Sequence, residues 1–253
     1  ANFEKQTGTP AEYLRQILTE SEKRSWLKKV RAKMEKLGIS PEEVFPERYL
    51  ERLNRLESIK QQIEWEIKAI AVDTESIATQ AFTKVLDESY TKTSNMIDVF
   101  RGNDISFSKI DTARTIELLK ENWQGSNYSE RIYANVNRLA EELPRILGGG
   151  LIAGQSYEKT ANVIRQRFGV GKYEATRLIR TETNYFNNQA ELETYKDQDI
   201  EEYKYFATLD GRTSKICIDL NKQVFKVVDA VVGVNYPPMH PHCRSTTIPV
   251  LKL

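Results

Sequence analysis

The chain has 253 residues, of which 40% are hydrophobic and 29% charged, and 37 Lys and Arg residues nearly balance 36 Asp and Glu residues. This composition is typical of a soluble protein of one large or two small domains with long solvated helices, and it excludes a disordered chain. The sequence has no apolar run of about 18 residues, so we expect no transmembrane helix and no membrane partner. Two cysteines are too few for a disulfide-rich secreted scaffold. Residues 1–5 do not have the pattern of a signal peptide, so we expect synthesis and first use in a cytoplasm.

The net charge of +1 hides a basic segment at the C-terminal end. Residues 204–253 carry seven Lys and Arg against three Asp, a charge of +4, so the rest of the chain carries −3. Such a segment is compatible with a polyanionic partner, and equally with an ordinary solvated surface.

Helical periodicity dominates the first 145 residues. Gly38 is a typical helix stop and Ser40-Pro41 a typical start. From Leu50 to about Tyr90 apolar residues recur every three or four positions, which predicts a helix of several tens of residues or two joined end to end. We assign residues 1–120 to an N-terminal helical arm or bundle. Its charged face is solvated, and its apolar face is available to a partner helix.

Two glycine clusters interrupt the helical pattern. Gly148-Gly149-Gly150 follows a helical stretch, and we interpret it as a hinge or helix cap. Residues 163–179 have the pattern of a helix-hairpin-helix, with Gly169 and Gly171 in the turn and Lys172 after it. Such a turn brings backbone and a helix N-terminus close to phosphate, which predicts nonspecific contact with double-stranded DNA through these three residues. A plain tight connection between two helices is the alternative.

The pattern changes from helix to strand after Asp199. Residues 202–208 alternate aromatic and polar side chains, and residues 223–228 are rich in valine, so both segments are predicted strands. We therefore expect a mostly α protein with a small α+β C-terminal domain and a short antiparallel sheet near the C-terminus. The second domain is predicted over residues 121–253, with helices in 121–199 and the β-containing unit in 200–253.

Both cysteines and both histidines of the chain lie within that last unit. Cys217, His240 and Cys243 offer the mixture of sulfur and nitrogen ligands that zinc prefers, and His242 or Asp219 would complete a tetrahedron. A disulfide between Cys217 and Cys243, or two buried thiols, are the alternatives. Zinc is thus a candidate cofactor, and no other cofactor is indicated.

This unit contains two distinctive sequence blocks. The first is Phe206-Ala207-Thr208-Leu209-Asp210-Gly211-Arg212-Thr213-Ser214, followed by Cys217 and Leu220. The second is Tyr236-Pro237-Pro238-Met239-His240-Pro241-His242-Cys243-Arg244-Ser245. Together the blocks resemble the phage Mu F-like family of head-morphogenesis, or minor head, proteins. Upstream, Arg180-Thr181-Glu182-Thr183 and Asn188 are similar to the family's helix before the strand. Ser214 stands where many members have cysteine, so this chain departs from a four-ligand zinc site.

The resemblance implies a structural protein of a tailed phage or prophage and no enzyme. It implies docking at the portal vertex inside the capsid, with the portal protein, a capsid or scaffolding protein and packaged DNA as partners. Head assembly, DNA packaging and DNA ejection are the processes it would aid. The implied location is the virion interior near the portal, after a stage in the host cytoplasm.

Two other functions remain as alternatives, a soluble sequence-independent DNA-binding protein and a metal-dependent nuclease. A nuclease site would combine Glu182, Asp210 and His240 around a divalent ion. The sequence contains no established catalytic spacing. We expect Arg180, Glu182, Asp210 and Arg212 to form a charge network that locks helix against sheet, and we count Thr213 and Arg244 with the same structural motif.

Overall fold

A computed structural model describes residues 11–153, 155 and 157–251. The described chain is mostly helical, with one three-stranded sheet near the C-terminus, as the sequence predicts. In chain order the helices are α1 (Ala11–Arg15), α2 (Glu20–Lys36), α3 (Pro41–Val44), α4 (Glu47–Arg52), α5 (Arg55–Arg101), α6 (Thr112–Lys120), α7 (Tyr128–Ile152), α8 (Tyr157–Asp197) and α9 (Lys215–Leu220). The strands are β1 (Glu202–Phe206), β2 (Val224–Lys226) and β3 (Thr246–Val250), and a 3₁₀ turn covers Val227–Asp229. None of the described helices combines the length and hydropathy of a membrane span.

The chain divides into two units that alternate along the sequence. Unit 1 comprises residues 1–76 and 132–175, and unit 2 comprises residues 77–131 and 176–253. The expected boundary between residues 120 and 121 stays a prediction.

Unit 1 has an aromatic core around α2. Thr19 and Glu22 cap the start of α2 reciprocally, which satisfies backbone donors that the first turn leaves open. Trp26 packs edge-on against Phe45 with ring centroids 5.0 Å apart, and its indole nitrogen donates to the Ser58 carbonyl at 2.8 Å. Gly38 takes a φ of +68° directly after α2, so the predicted helix stop is confirmed.

Unit 2 contains the sheet, in which β1 lies between β2 and β3 and both pairings are antiparallel. Tyr203 faces Phe225 on one side and Pro249 on the other. Tyr203 and Tyr205 are fully buried, whereas Lys204 between them is exposed, as expected for a sheet with one solvated face. The predicted strand segments 202–208 and 223–228 are confirmed as β1 and β2, and β3 is an additional strand.

The predicted breaks at both glycine clusters are wrong. Helix α7 continues through Gly148, Gly149 and Gly150, and α8 continues through Gly169 and Gly171. Glycine occurs at positions 150 and 171 because a neighbouring helix packs closely there, and not because the chain turns. A Cβ on Gly171 would lie 3.1 Å from Leu139 Cδ1, and a Cβ on Gly150 would lie 2.5 Å from Thr160 Oγ1 and 3.0 Å from Thr160 Cγ2. Glycine costs about 1 kcal/mol in a helix, but here it allows neighbouring helices of unit 1 to approach.

This packing predicts opposite effects for two adjacent substitutions. Gly150→Ala should destabilise unit 1 by about 1–2 kcal/mol, because the new methyl group overlaps the stiff side chain of Thr160. Gly149→Ala is the matched control. A Cβ there meets nothing within 4 Å, so the variant should gain about 0.5–1 kcal/mol of helix propensity. Urea unfolding followed by circular dichroism measures both, and equal effects would contradict the packing argument.

Candidate functional site: a cysteine–histidine cluster in unit 2

The loop between β1 and α9 is built by polar side chains that bond to its own backbone. The Asp210 carboxylate accepts from the Arg212 backbone nitrogen at 2.8 Å, and the Thr213 hydroxyl donates to the Thr208 carbonyl at 2.6 Å. Ser214 then caps α9 by accepting from the Cys217 nitrogen. These bonds fix where α9 begins and therefore where Cys217 lies.

Arg244 holds the same loop from the other side. Its guanidinium donates to both oxygens of Asp210, at 2.7 and 2.6 Å, in the two-pronged geometry that arginine and carboxylate favour. This hydrogen bonding holds the pKa of Asp210 well below its usual range, aided by the Arg212 backbone nitrogen. The Arg212 side chain is largely exposed, 3.7 Å from Asp210. Asp210, Arg212, Thr213 and Arg244 are thus brought together, as the structural motif requires.

Cys217, His240 and Cys243 form a cluster in which the potential ligand atoms lie within 4.8 Å of one another. The two sulfur atoms are 3.8 Å apart, and Cys217 Sγ is 3.4 Å from His240 Nε2. Both cysteines are buried and His240 is partly buried. Neither His242 nor Asp219 belongs to this cluster, so within the described residues it has three members.

Hydrogen bonds orient the histidine and activate the first cysteine. His240 Nδ1 lies 2.8 Å from the Pro241 carbonyl, which leaves Nε2 directed at Ser214 Oγ and Cys217 Sγ. Burial raises the pKa of Cys217, but hydrogen bonds from Ser214, Tyr205, Ser245 and His240 outweigh burial and lower that pKa to about 7. The cluster is therefore a donor set that readily supplies a thiolate.

The turn that carries His240 and Cys243 is attached to α8. The His242 backbone nitrogen donates to the Thr181 hydroxyl at 3.1 Å, and Asn184 donates to the Ser245 carbonyl at 3.1 Å. A single helix thus positions the second sequence block of the motif.

Glu182 forms a separate buried group. Its Oε2 accepts from the Trp123 indole nitrogen at 2.9 Å, and its Oε1 forms an ion pair with Arg131. Burial raises the pKa of Glu182, against the lowering effects of Trp123 and Arg131. Arg180 is exposed. Arg180, Glu182, Asp210 and Arg212 therefore do not share one network, because Asp210 pairs with Arg244 and Glu182 with Arg131.

Local sequence patterns do not identify the partners of Glu182. Trp123 and Arg131 precede Glu182 by more than fifty residues, and no spacing rule connects them. Glu191 was also missed. It accepts from the hydroxyls of Thr246 and Thr247 at 2.8 and 3.3 Å and so connects α8 to β3.

The three residues predicted to contact DNA lie in the part of α8 that belongs to unit 1. Gly169, Gly171 and Lys172 are in mid-helix, where backbone N–H groups bond within the helix. The expected hairpin geometry, in which a helix N-terminus receives a phosphate, is therefore absent at these three described residues.

The fold and cluster define a mostly helical protein with a small α+β unit organised by two sequence blocks and one helix. The family model described as Phage Mu protein F like protein matches residues 143–248, which include both blocks, the cluster and all of α8. This part of the chain is similar to the phage Mu protein F-like family, and the resemblance drawn from the sequence is confirmed. No curated protein and no solved structure matches the chain.

The Glu182 group predicts a loss of stability on truncation. Glu182→Ala leaves the Arg131 guanidinium without its carboxylate in a largely buried site, which should cost about 3 kcal/mol of unfolding free energy. Chemical denaturation of the single variants and of the double variant Glu182→Ala/Arg131→Ala measures the coupling. Additive losses would show that the ion pair does not hold this region.

Glu191 predicts a pH dependence. Burial raises its pKa to about 7 from an ordinary value of 4.5, although Thr246 and Thr247 bond to it. The stability contributed by this group is fully present below about pH 4.5 and is lost as the pH rises through 7, because the unfolded chain releases the proton first.

Glu191→Gln removes that titration. The unfolding free energy of the variant minus that of the wild type should therefore increase between pH 5 and about pH 8. Unfolding curves measured in parallel at several pH values test this, and a difference that stays constant or decreases with pH would refute it.

Proposed function

We propose that this chain is a structural minor head protein of a tailed phage or prophage. The observation that supports the proposal is the similarity of residues 143–248 to the phage Mu protein F-like family. The geometry supports a structural role. Glu182 pairs with Arg131, Asp210 with Arg244, and His240 lies with the cysteines, so the three residues of the nuclease alternative are committed to different partners.

The proposal includes docking of this chain on the portal inside the capsid. An exposed apolar patch at the end of α5 supports it, and its core is Met96, Val99 and Phe100, each about half exposed or more. The following loop adds exposed Ile105 and Phe107, and Asp98 fixes this loop by accepting from Ser106. Exposed apolar side chains concentrated in twelve residues favour a protein partner, here the portal or a neighbouring capsid or scaffolding protein.

The proposal also includes contact of this chain with packaged DNA. Its support is five exposed cations of the C-terminal segment, which carry most of the segment's positive charge: Lys204, Arg212, Lys215, Lys222 and Lys226. Such side chains bind phosphate without reading sequence, so the contact would be nonspecific and would weaken with salt.

The proposal predicts a few copies of the chain per particle, in DNA-filled virions and in empty procapsids alike. Quantitative mass spectrometry with labelled peptide standards gives the copy number, with portal peptides as the internal reference. Val99→Asp should lower incorporation, because it places a charge in the patch. Ile218→Asp is the matched control, since Ile218 is equally exposed on α9, outside the patch.

Absence of the wild-type chain from both particle types would refute the minor-head role. Equal incorporation of Val99→Asp and Ile218→Asp would refute docking through the α5 patch alone. Ultraviolet irradiation of the same DNA-filled particles tests the DNA contact. Cross-links should form along the genome without sequence preference, and their absence would contradict that contact.

A further inference from the structure

We propose that Cys217, His240 and Cys243 bind one zinc ion through Sγ, Nε2 and Sγ, with a water molecule as the fourth ligand. This inference is independent of the role in the phage head, since it concerns only the chemistry of three side chains in unit 2.

Two of the three distances between the ligand atoms are close to those of a tetrahedral zinc site. With Zn–S bonds of about 2.3 Å and Zn–N bonds of about 2.0–2.1 Å, the tetrahedral angle separates two sulfurs by about 3.8 Å and a sulfur from a nitrogen by about 3.6 Å. The two sulfurs here are 3.8 Å apart, and Cys217 Sγ is 3.4 Å from His240 Nε2. The three side chains are already spaced as two edges of that tetrahedron.

The orientation of His240 matches that of a zinc ligand. Metal-bound histidines commonly donate their other ring nitrogen to a carbonyl or carboxylate, which fixes the tautomer. Here Nδ1 lies 2.8 Å from the Pro241 carbonyl. A proton on Nδ1 leaves the Nε2 lone pair directed at the cysteines.

The space beside Cys217 and His240 has room for one small ligand. A cavity of about 20 Å³ adjoins the cluster, lined among others by Ser214, Cys217 and His240. A single water molecule needs about 10–15 Å³. Ser214 Oγ lies 2.8 Å from His240 Nε2, so its hydroxyl is placed to bond to a water bound there.

The same distances disfavour a disulfide. A disulfide has sulfurs about 2.05 Å apart, so Cys217 and Cys243 would have to approach by about 1.7 Å. Each cysteine is held by its own element, one by α9 and the other by the turn that follows His240. A zinc ion bound between the two sulfurs would connect α9 to the turn that follows His240 without that movement.

The test begins with the untagged full-length protein, purified with a reductant and without chelator. Elemental analysis should find one zinc per chain, and removal of zinc by a chelator should lower the melting temperature. Co²⁺ substitution should give the ligand-field bands of a tetrahedral site and a thiolate charge-transfer band. His240→Ala should lose the metal and its effect on melting.

His242→Asn is the matched control. It removes the chain's other histidine, and asparagine tolerates the left-handed backbone at that position, where φ is +63°. This variant should retain one zinc. Wild-type protein that contains no zinc and takes none up, equal zinc in His240→Ala, or complete protection of both thiols from alkylation as a disulfide would each overturn the proposal.

Discussion

The structure of unit 2 depends on the burial of polar side chains along the C-terminal part of α8. Between residues 181 and 194 this helix buries Thr181, Glu182, Asn188, Glu193 and Thr194. A buried polar group without a partner costs about 1–3 kcal/mol, and a charged one more. Thr181, Asn188 and Thr194 donate to carbonyls of the preceding turn of the helix itself. The two carboxylates also take charged partners from other parts of unit 2.

The partners come from distant parts of the sequence. Arg114 pairs with Glu193 at 2.9 Å, and Trp123 donates to Glu182 at the same distance. From the C-terminal side, the fully buried Tyr236 donates to the Asn188 carbonyl at 2.7 Å. Each bond ties one element to α8, so the helix orders the segments on both sides of it in the chain. The turn that carries His240 and Cys243 is one of those segments, and its position follows from its bonds to Thr181 and Asn184.

Local sequence patterns predict most helices and strands of this chain. They do not predict features that depend on contacts between residues distant in the sequence. Gly38 was correctly assigned as a helix stop because nothing approaches it and its φ is positive. Gly150 and Gly171 carry the same local signal, but neighbouring helices occupy the space of their missing side chains, and sequence contains no record of that approach. Strand β3 was not predicted, and it contains Pro249, a residue that lacks a backbone donor and is unfavourable in a strand. The cluster was found because all cysteines and histidines of the chain fall in one short segment, whereas the pairing of Glu182 with Arg131 depends on tertiary structure alone.

The small size of the sheet explains why the cluster and the Asp210–Arg244 pair lie where they do. Strands of five, three and five residues expose one face to solvent, and so few residues bury too little apolar surface to be stable alone. Tyr203 and Tyr236 join the sheet to the core, with ring centroids 5.1 Å apart. Residues 208–216 lie beyond β1 and have no buried side chain. There the chain uses directional contacts instead: Arg244 clamps the loop through Asp210, and Cys217 meets His240 and Cys243. The Asp210–Arg244 ion pair and the cysteine–histidine cluster thus perform one task, which is to attach the β1–α9 loop to the turn that α8 already holds.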